Sequence, residues 1–231
     1  MTGVSVDYTS IAESYDENRF CDFKGSVVNE LDRGIVRSLV LQSGAIRVLD
    51  APTGTGRVIS YLRDLPIELT ACDLTSAMLE QAKAKAGDRS VEFIQSNIAD
   101  VPRSSETFDC IVCLRFFHLF SPLDRGPFVK EFERLLKPGG HLICSFTNGW
   151  YGGGINWIKR LLGVPSVQFL YPGELRTLFP GWTVRAVRGN FFPLHWLMAK
   201  CGVNPLLKAL GRTPLFRRLC WETFFLLEKP A

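Results

Sequence analysis

Short apolar runs and helix-like segments alternate through the middle of the chain. Between the runs, residues 56–64, 76–86 and 127–136 carry apolar side chains at helical spacing. A basic last turn and the breakers Pro138 to Gly140 end the last of these segments. This alternation predicts a parallel sheet covered by helices on both faces. The predicted strands lie at 46–49, 68–72, 91–94, 110–114 and 141–146.

The two flanking regions have other patterns. Residues 8–43 show apolar positions at helix-like spacing, which predicts helical structure. After Phe146 the pattern is irregular, with a helix predicted at 171–179 and strands at 183–187 and 223–227, which we expect to form an antiparallel edge pair. The expected parts are a helical cap at 1–45, a core at 46–149, and the end of the sheet at 150–231 with an insert at about 150–170 and 190–220.

Composition and charge narrow the class of protein. With 46% hydrophobic and 22% charged residues, the chain is typical of a soluble globular protein, not of a disordered or fibrous one. No apolar run approaches the roughly 18 to 20 residues of a membrane-spanning helix, and the first ten residues do not resemble a secretion signal. We expect a cytoplasmic protein. From Trp150 onward, eleven Lys and Arg stand against three Glu, a formal charge of +8, whereas the first 149 residues carry −4.

The cysteines predict buried, reduced thiols. Their number, seven, is odd, and most lie inside hydrophobic stretches. Cys110 and Cys113 have the spacing of a metal or redox pair, but alternation along a strand points residues three apart to opposite faces. We therefore expect neither a disulfide framework nor a metal site.

The segment from Val48 to Arg57 is the strongest chemical signal. A buried strand ends in Asp50 and turns through Gly54 and Gly56 into a helix. Glycines let a ligand approach the backbone, and the first helical turn offers unpaired N–H groups. A dinucleotide fingerprint would need a third glycine where Ile59 stands, so we expect its close helix packing to be missing. The absence of a Gly-Lys-Ser/Thr ending argues against a phosphate loop for ATP or GTP.

Asp73 ends the second predicted strand, 23 residues after Asp50. An acid in this position can accept hydrogen bonds from both hydroxyls of a ribose. It can equally be a charge at a helix N-terminus, where the dipole favours it. The residue alone leaves both interpretations open.

Several motifs in order resemble the class I S-adenosylmethionine-dependent methyltransferases over residues 8–147. The resemblance implies an α/β, doubly wound, mostly parallel Rossmann-like sheet of seven strands with an antiparallel last strand and a helical, aromatic insert near the C-terminus. It implies S-adenosylmethionine as cofactor and S-adenosylhomocysteine as product. The motifs are Asp50-x-x-x-Gly54-x-Gly56, residues 73–79, Asn97-Ile98, residues 108–112 and residues 134–140.

The resemblance also implies roles for single residues. Thr53, Gly54 and Gly56, which follow Asp50 of the same motif, would line the methionine part of the cofactor, and Asp73 would hold the ribose. The remaining predicted cofactor residues are Leu74 and Met78 beside the adenine, Asn97 and Ile98 at its edge and ring, Leu114 beneath the sulfonium, and Tyr15 and Arg19 in an N-terminal element that closes over the cofactor, with Arg19 pairing with its carboxylate.

Two positions depart from the family pattern. Pro52 replaces the usual first glycine, which removes one N–H group and fixes φ. Asn97 replaces a common Asp, although a neutral amide can still bond the adenine edge. Both departures bear on the affinity for the cofactor more than on its identity.

His118 is the candidate catalytic base. It lies just past the carboxyl end of the fourth predicted strand, where ligands bind in open α/β sheets. The alternative is a structural histidine bonded to the backbone at a helix start. Arg115 could hold an anionic substrate or pair with a surface carboxylate, and the sequence does not separate these. His195, in the aromatic C-terminal stretch, could face a substrate.

The C-terminal part indicates the acceptor. Its insert mixes apolar and aromatic residues with Lys and Arg, which suits a lid over an amphipathic substrate or peripheral contact with a membrane. The alternative is a cap that completes the core. The Asn-Pro-Pro-Tyr segment of amino-methylating nucleic-acid enzymes is absent, so we expect no nucleic-acid partner. We predict methyl transfer to a small hydrophobic or lipid-like acceptor at oxygen; the alternatives are methylation of a soluble polar metabolite and a catalytically silent cofactor-binding or scaffold protein.

Overall fold

A computed structural model describes residues 23–148, 174–190, 213 and 220–231. It contains one seven-stranded sheet in the order β3-β2-β1-β4-β5-β7-β6. The strands β1 to β5 are parallel to one another, while β7 pairs antiparallel with both β5 and β6. The strands are β1 (Arg47–Asp50), β2 (Glu68–Asp73), β3 (Val91–Gln95), β4 (Phe108–Cys113), β5 (Leu136–Thr147), β6 (Thr183–Asn190) and β7 (Glu222–Glu228). The predicted fold class is confirmed.

Helices cover both faces of the sheet. Two short 3₁₀ turns, Phe117–Leu119 and Pro122–Asp124, follow β4. No helix within the described ranges has the length and apolar character needed to cross a membrane. The α-helices of the described part are α1 (Phe23–Ser43), α2 (Arg57–Tyr61), α3 (Ser76–Ala86), α4 (Gly126–Leu135) and α5 (Glu174–Leu178).

Two hydrophobic clusters form the core, one on each face. Residues of α1, α2 and α3 pack against one face, which includes Cys110. Residues of α4 and α5 pack against the other, which includes Cys113 and Cys144. The prediction that Cys110 and Cys113 point to opposite faces is confirmed. All five cysteines of the described part are free and buried, and burial raises the pKa of the Cys110 thiol to about 12.

Some predicted boundaries differ from the structure. The helix predicted at 56–64 ends earlier, at Tyr61. The breakers after α4 belong to β5, which begins at Leu136 because that residue pairs with Phe108; an irregularity in the pairing follows. The last two strands form an antiparallel pair at the edge of the sheet, as predicted, with β6 outermost and β7 between β5 and β6.

Some predictions lie outside the described residues. They are the helical structure at 8–22 and most of the insert at 150–170 and 190–220. The division of the chain into three parts stays a prediction.

Candidate functional site

A cavity of about 400 Å³ opens at the carboxyl ends of β1, β2 and β4. The order of the strands reverses between β1 and β4, because β2 and β3 lie on one side of β1 and β4 and β5 on the other. Open α/β sheets bind their ligands at such a switch point. The volume lies within the usual range of small-molecule sites, roughly 300 to 1,000 Å³.

One side of the cavity, which we call the cradle, is formed by Thr53, Gly54 and Asp73. Gly54 has a φ of 53°, and its N–H donates to Oδ2 of Asp73 at 2.9 Å. The N–H of Thr75 donates to Oδ1 of Asp73, also at 2.9 Å. Each carboxylate oxygen keeps a further lone pair. Because Asp73 lines the cavity, its carboxylate fits a pair of ribose hydroxyls.

Burial shapes the charge of the cradle. Asp73 is 7% exposed, and burial raises its pKa, which the backbone hydrogen bonds from Thr75 and Gly54 oppose. A Cβ atom built on Gly54 meets no atom within 4 Å. The open space beside this glycine fits a ligand lying against the backbone, as the sequence predicts for the tail of the cofactor.

Asp50 lies behind the cradle and does not line the cavity. Its side chain is fully buried, and the hydroxyl of Thr53 donates to its Oδ2 at 2.6 Å. Burial raises the pKa of Asp50 to about 8, which the Thr53 hydrogen bond opposes. Asp50 therefore fixes the Thr53 side chain from behind the cradle, and the predicted contact of Asp50 with the cofactor stays a prediction.

Gly56 is explained by packing. It has a φ of 81° immediately before α2, and a Cβ atom there would lie 2.7 Å from Cα of Ala82 in α3. The residue is absent from the cavity lining. A close approach of the two backbones is therefore present at Gly56, and its predicted contact with the methionine tail of the cofactor stays a prediction.

The other predicted cofactor residues of the described part line the cavity. They follow β2, β3 and β4 in the chain. The side-chain oxygen of Asn97 accepts a hydrogen bond from the N–H of Ala99 at 2.9 Å, and its amide N–H₂ group is a donor. These lining residues are Leu74, Met78, Asn97, Ile98 and Leu114.

The opposite side of the cavity is apolar. Phe116, Leu119, Phe120 and Phe128 form it, and we call them the aromatic wall. The ring centroids of Phe116, Phe120 and Phe128 lie 4.6 to 4.9 Å from one another, within the range of favourable aromatic contacts. The sequence analysis did not single out this wall, although its residues flank His118.

His118 lies in the turn Phe117–Leu119 and does not line the cavity. Its side chain is half-buried. Its neighbours Phe116 and Leu119 occupy the wall, because the N–H of Leu119 donates to the carbonyl of Phe116 and brings these two residues to the same side of the turn. The catalytic role of His118 stays a prediction.

Arg115 pairs with buried carboxylates, and not with surface ones. Its Nη2 donates to Glu222 at 2.7 Å and to Asp32. Nδ2 of Asn190 donates to the other oxygen of Asp32, and Nη1 of Arg57 lies 3.9 Å from Asp32. We call these five residues the charge network. Arg57 and Arg115 line the cavity.

Tyr15, Arg19 and His195 lie outside the described residues. Within the described ranges, no group of three or more His, Cys, Asp or Glu side chains could hold a metal ion. In the described part of the chain, the residues that could hold a cofactor are those of the cradle and those that follow β2, β3 and β4.

A model of the methyltransferase domain family matches residues 49–144. Demethylmenaquinone methyltransferase of Clavibacter sepedonicus is 29% identical over 146 residues, which are 62% of this chain and 58% of that protein. Glycine/sarcosine N-methyltransferase of Aphanothece halophytica is 37% identical over 112 residues, which are 46% of this chain and 42% of that protein. The chain spans about half the length of these curated relatives.

Solved structures share the fold. One of them is magnesium protoporphyrin IX methyltransferase from Synechocystis PCC 6803, solved with bound S-adenosylhomocysteine. The superposition has a TM-score of 0.67 at 14% sequence identity, and it covers 96% of this chain and 100% of the Synechocystis chain. The matching domain model is consistent with two features of the structure. These are the order of the seven strands and the cradle at the ends of β1 and β2. The chain therefore contains a methyltransferase domain at residues 49–144, and its fold is that of the class I S-adenosylmethionine-dependent methyltransferases.

Proposed function

We propose that this protein transfers a methyl group from S-adenosylmethionine to a small hydrophobic or lipid-like acceptor. One observation carries the proposal: a single cavity joins a polar cradle, which presents the Asp73 carboxylate, to an apolar aromatic wall. The cradle fits a nucleoside with an amino-acid tail. The wall offers the acceptor a surface without charge.

The cofactor residues follow from this placement. Asp73 would accept the ribose hydroxyls, and Thr53 and Gly54 would lie along the methionine tail. Leu74, Met78, Asn97 and Ile98 would surround the adenine, and Leu114 would lie beneath the sulfonium. That all eight residues line one cavity supports these assignments.

The remaining work of the protein is alignment. When bound, S-adenosylmethionine supplies a methyl group that its sulfonium already activates. The chain has to hold the acceptor in line with that methyl group and exclude water, and such alignment is worth at most roughly 7 to 11 kcal/mol. The aromatic wall excludes water from the space for the acceptor, and the cradle fixes the cofactor on the opposite side of the cavity.

We propose oxygen as the methylated atom, with His118 as its base; His118 does not itself line the cavity, but its chain neighbours Phe117 and Leu119 lie in the same turn, and Leu119 belongs to the aromatic wall. Among the described residues that line the cavity, the titratable ones are Arg57, Asp73 and Arg115. None of these is free to act as the base, because Asp73 holds the ribose and arginines stay protonated.

Replacement of His118 by Ala should lower methyl transfer by roughly 10²- to 10⁴-fold and leave the affinity for S-adenosylhomocysteine unchanged. His141→Ala is the control, since His141 pairs with Glu228 at the opposite end of β5. Full activity of the His118 variant would contradict the role of His118 as the base.

The relatives point to two acceptor classes. One relative is named for demethylmenaquinone and another for glycine and sarcosine. The apolar wall favours the first class. The second candidate function is methylation of a soluble polar metabolite, which the 37% identity to the glycine/sarcosine enzyme favours.

Transfer of an isotope-labelled methyl group to a cell extract tests the proposal. Label in the organic phase after extraction is the expected result. Label in the aqueous phase would favour the polar metabolite, and no transfer by a protein that binds S-adenosylhomocysteine would favour a silent cofactor-binding or scaffold protein. Carbon-13 spectroscopy of the product distinguishes methyl on oxygen from methyl on carbon or nitrogen.

We further propose that the basic, aromatic C-terminal part contacts a membrane-borne or anionic acceptor. The formal charge of +8 after residue 149 supports this proposal. Sedimentation with liposomes that contain acidic lipid should remove the protein from the supernatant, and neutral liposomes should not. Equal recovery in both supernatants would contradict membrane contact.

A further inference from the structure

Arg115 lines the cavity, as do its two chain neighbours, Leu114 and the wall residue Phe116. Its φ of 51° falls in the left-handed region, which residues other than glycine rarely adopt. In the described part of the chain, Glu106 is the only other non-glycine residue with positive φ. Such a conformation persists only where the surroundings enforce it.

Three elements anchor Arg115. Its backbone N–H donates to Oγ of Ser145 in β5 at 2.9 Å. Its Nε and Nη2 donate to Oε2 of Glu222 in β7 at 3.0 and 2.7 Å. Its Nη2 also donates to Oδ2 of Asp32 in α1. Backbone and side chain of one residue are therefore held from separate directions.

The anchors are shielded from water. Asp32 and Ser145 are fully buried and Glu222 is 3% exposed. Burial raises the pKa of Asp32, while the charge of Arg115 opposes this rise. Burial also opposes the charge of Arg115, but Asp32 and Glu222 outweigh it and raise the pKa of the guanidinium. Buried ion pairs add little net stability, so stability alone does not account for this network.

The chain after Arg115 leads directly into the aromatic wall. Phe116 follows it in sequence, and its ring packs on Phe120 and Phe128 at 4.9 and 4.8 Å. Displacement of residue 115 would therefore shift the wall relative to Asp73 on the other side of the cavity.

We propose that Arg115 is a positioning residue that sets the distance between the cradle and the aromatic wall. Asp32, Glu222 and Ser145 act through it. The inference rests on the proposed function in that it takes the cradle to be the cofactor site.

Arg115→Lys tests this inference. Lysine keeps the charge but loses the planar fork that reaches Asp32 and Glu222 together. Because the displaced segment includes Leu114, which lines the cavity and which the proposed function places beneath the sulfonium, we expect the affinity for S-adenosylhomocysteine, measured by calorimetry below the unfolding transition, to fall about tenfold, or about 1.4 kcal/mol. Arg134→Lys is the matched control, because Arg134 donates two hydrogen bonds to Glu131 at 2.8 and 2.6 Å and does not line the cavity. This control should stay within about twofold of the original chain.

Ser145→Ala covers the case in which the lysine variant does not fold. It removes the acceptor of the Arg115 N–H and leaves both carboxylates paired, and we expect about threefold weaker binding of S-adenosylhomocysteine. Folded variants that all bind within about twofold of the original chain would overturn the inference. Equal losses in Arg134→Lys and Arg115→Lys would overturn it too. Because the test is a ratio of affinities, its result is independent of whether methyl transfer is detected.

Discussion

The two sides of the cavity are built from different parts of the chain. The cradle consists mainly of backbone, namely the N–H groups of Gly54 and Thr75 around the Asp73 carboxylate. The aromatic wall consists of side chains that follow β4. Backbone geometry at the ends of β1 and β2 is fixed by the sheet, whereas rings can be exchanged without a change in the sheet. We therefore assign cofactor recognition to the cradle and acceptor choice to the wall.

The largest expected effect separates packing from binding within the glycine turn. Gly56→Ala should lower the free energy of unfolding by about 2 to 4 kcal/mol, because φ is positive and the new Cβ would lie 2.7 Å from Ala82. Gly54→Ala should cost only about 1 kcal/mol, since its Cβ meets no atom, but should weaken binding of S-adenosylhomocysteine. Denaturant unfolding and calorimetry measure both effects. Equal losses of stability would contradict this division.

Asp73→Ala tests the cradle itself. The affinity for S-adenosylhomocysteine should fall by roughly 1 to 3 kcal/mol, because two ribose hydroxyls lose their acceptor. Asp109→Ala is the control, since Asp109 also accepts two backbone N–H groups, from Ile46 and Arg47, but at the amino ends of β1 and β4, opposite the cavity. If calorimetry gives the same affinity for both variants, the ribose lies elsewhere.

Phe120→Ala tests the wall. Loss of one ring from the cluster should reduce methyl transfer to the extracted acceptor by about fivefold to tenfold, close to 1 kcal/mol, and change the affinity for S-adenosylhomocysteine by less than about twofold. Leu123→Ala is the control, because Leu123 is 93% exposed and outside the cavity lining. A Phe120 variant that lost cofactor affinity and kept acceptor turnover would reverse the assignment of the two sides.

Local patterns explain what the sequence could predict. Apolar runs located the strands of the sheet, and the acid at the end of β2 located Asp73, because each signal lies within a few neighbouring residues. The prediction that Pro138 to Gly140 separate α4 from the next strand was wrong, because the pairing of Leu136 with Phe108 extends β5 through these residues.

Long-range contacts explain what the sequence could not predict. Arg115 lies 83 residues from Asp32 and 107 from Glu222, and each of these residues has the character of a surface charge when considered alone. The sequence motif also includes Gly56, but it does not show why a glycine is needed there. The reason is the close approach of Ala82 from another helix. The residues around His118 form an aromatic stretch in the sequence, but the turn determines which of their side chains line the cavity.

A crystal structure with bound S-adenosylhomocysteine tests the central claim most directly. We predict the ribose hydroxyls at the Asp73 carboxylate, the amino-acid tail along Thr53 and Gly54, and the sulfur facing the space beside the aromatic wall. A nucleoside bound away from the carboxyl ends of β1 and β2, or protein side chains filling that space, would contradict the account.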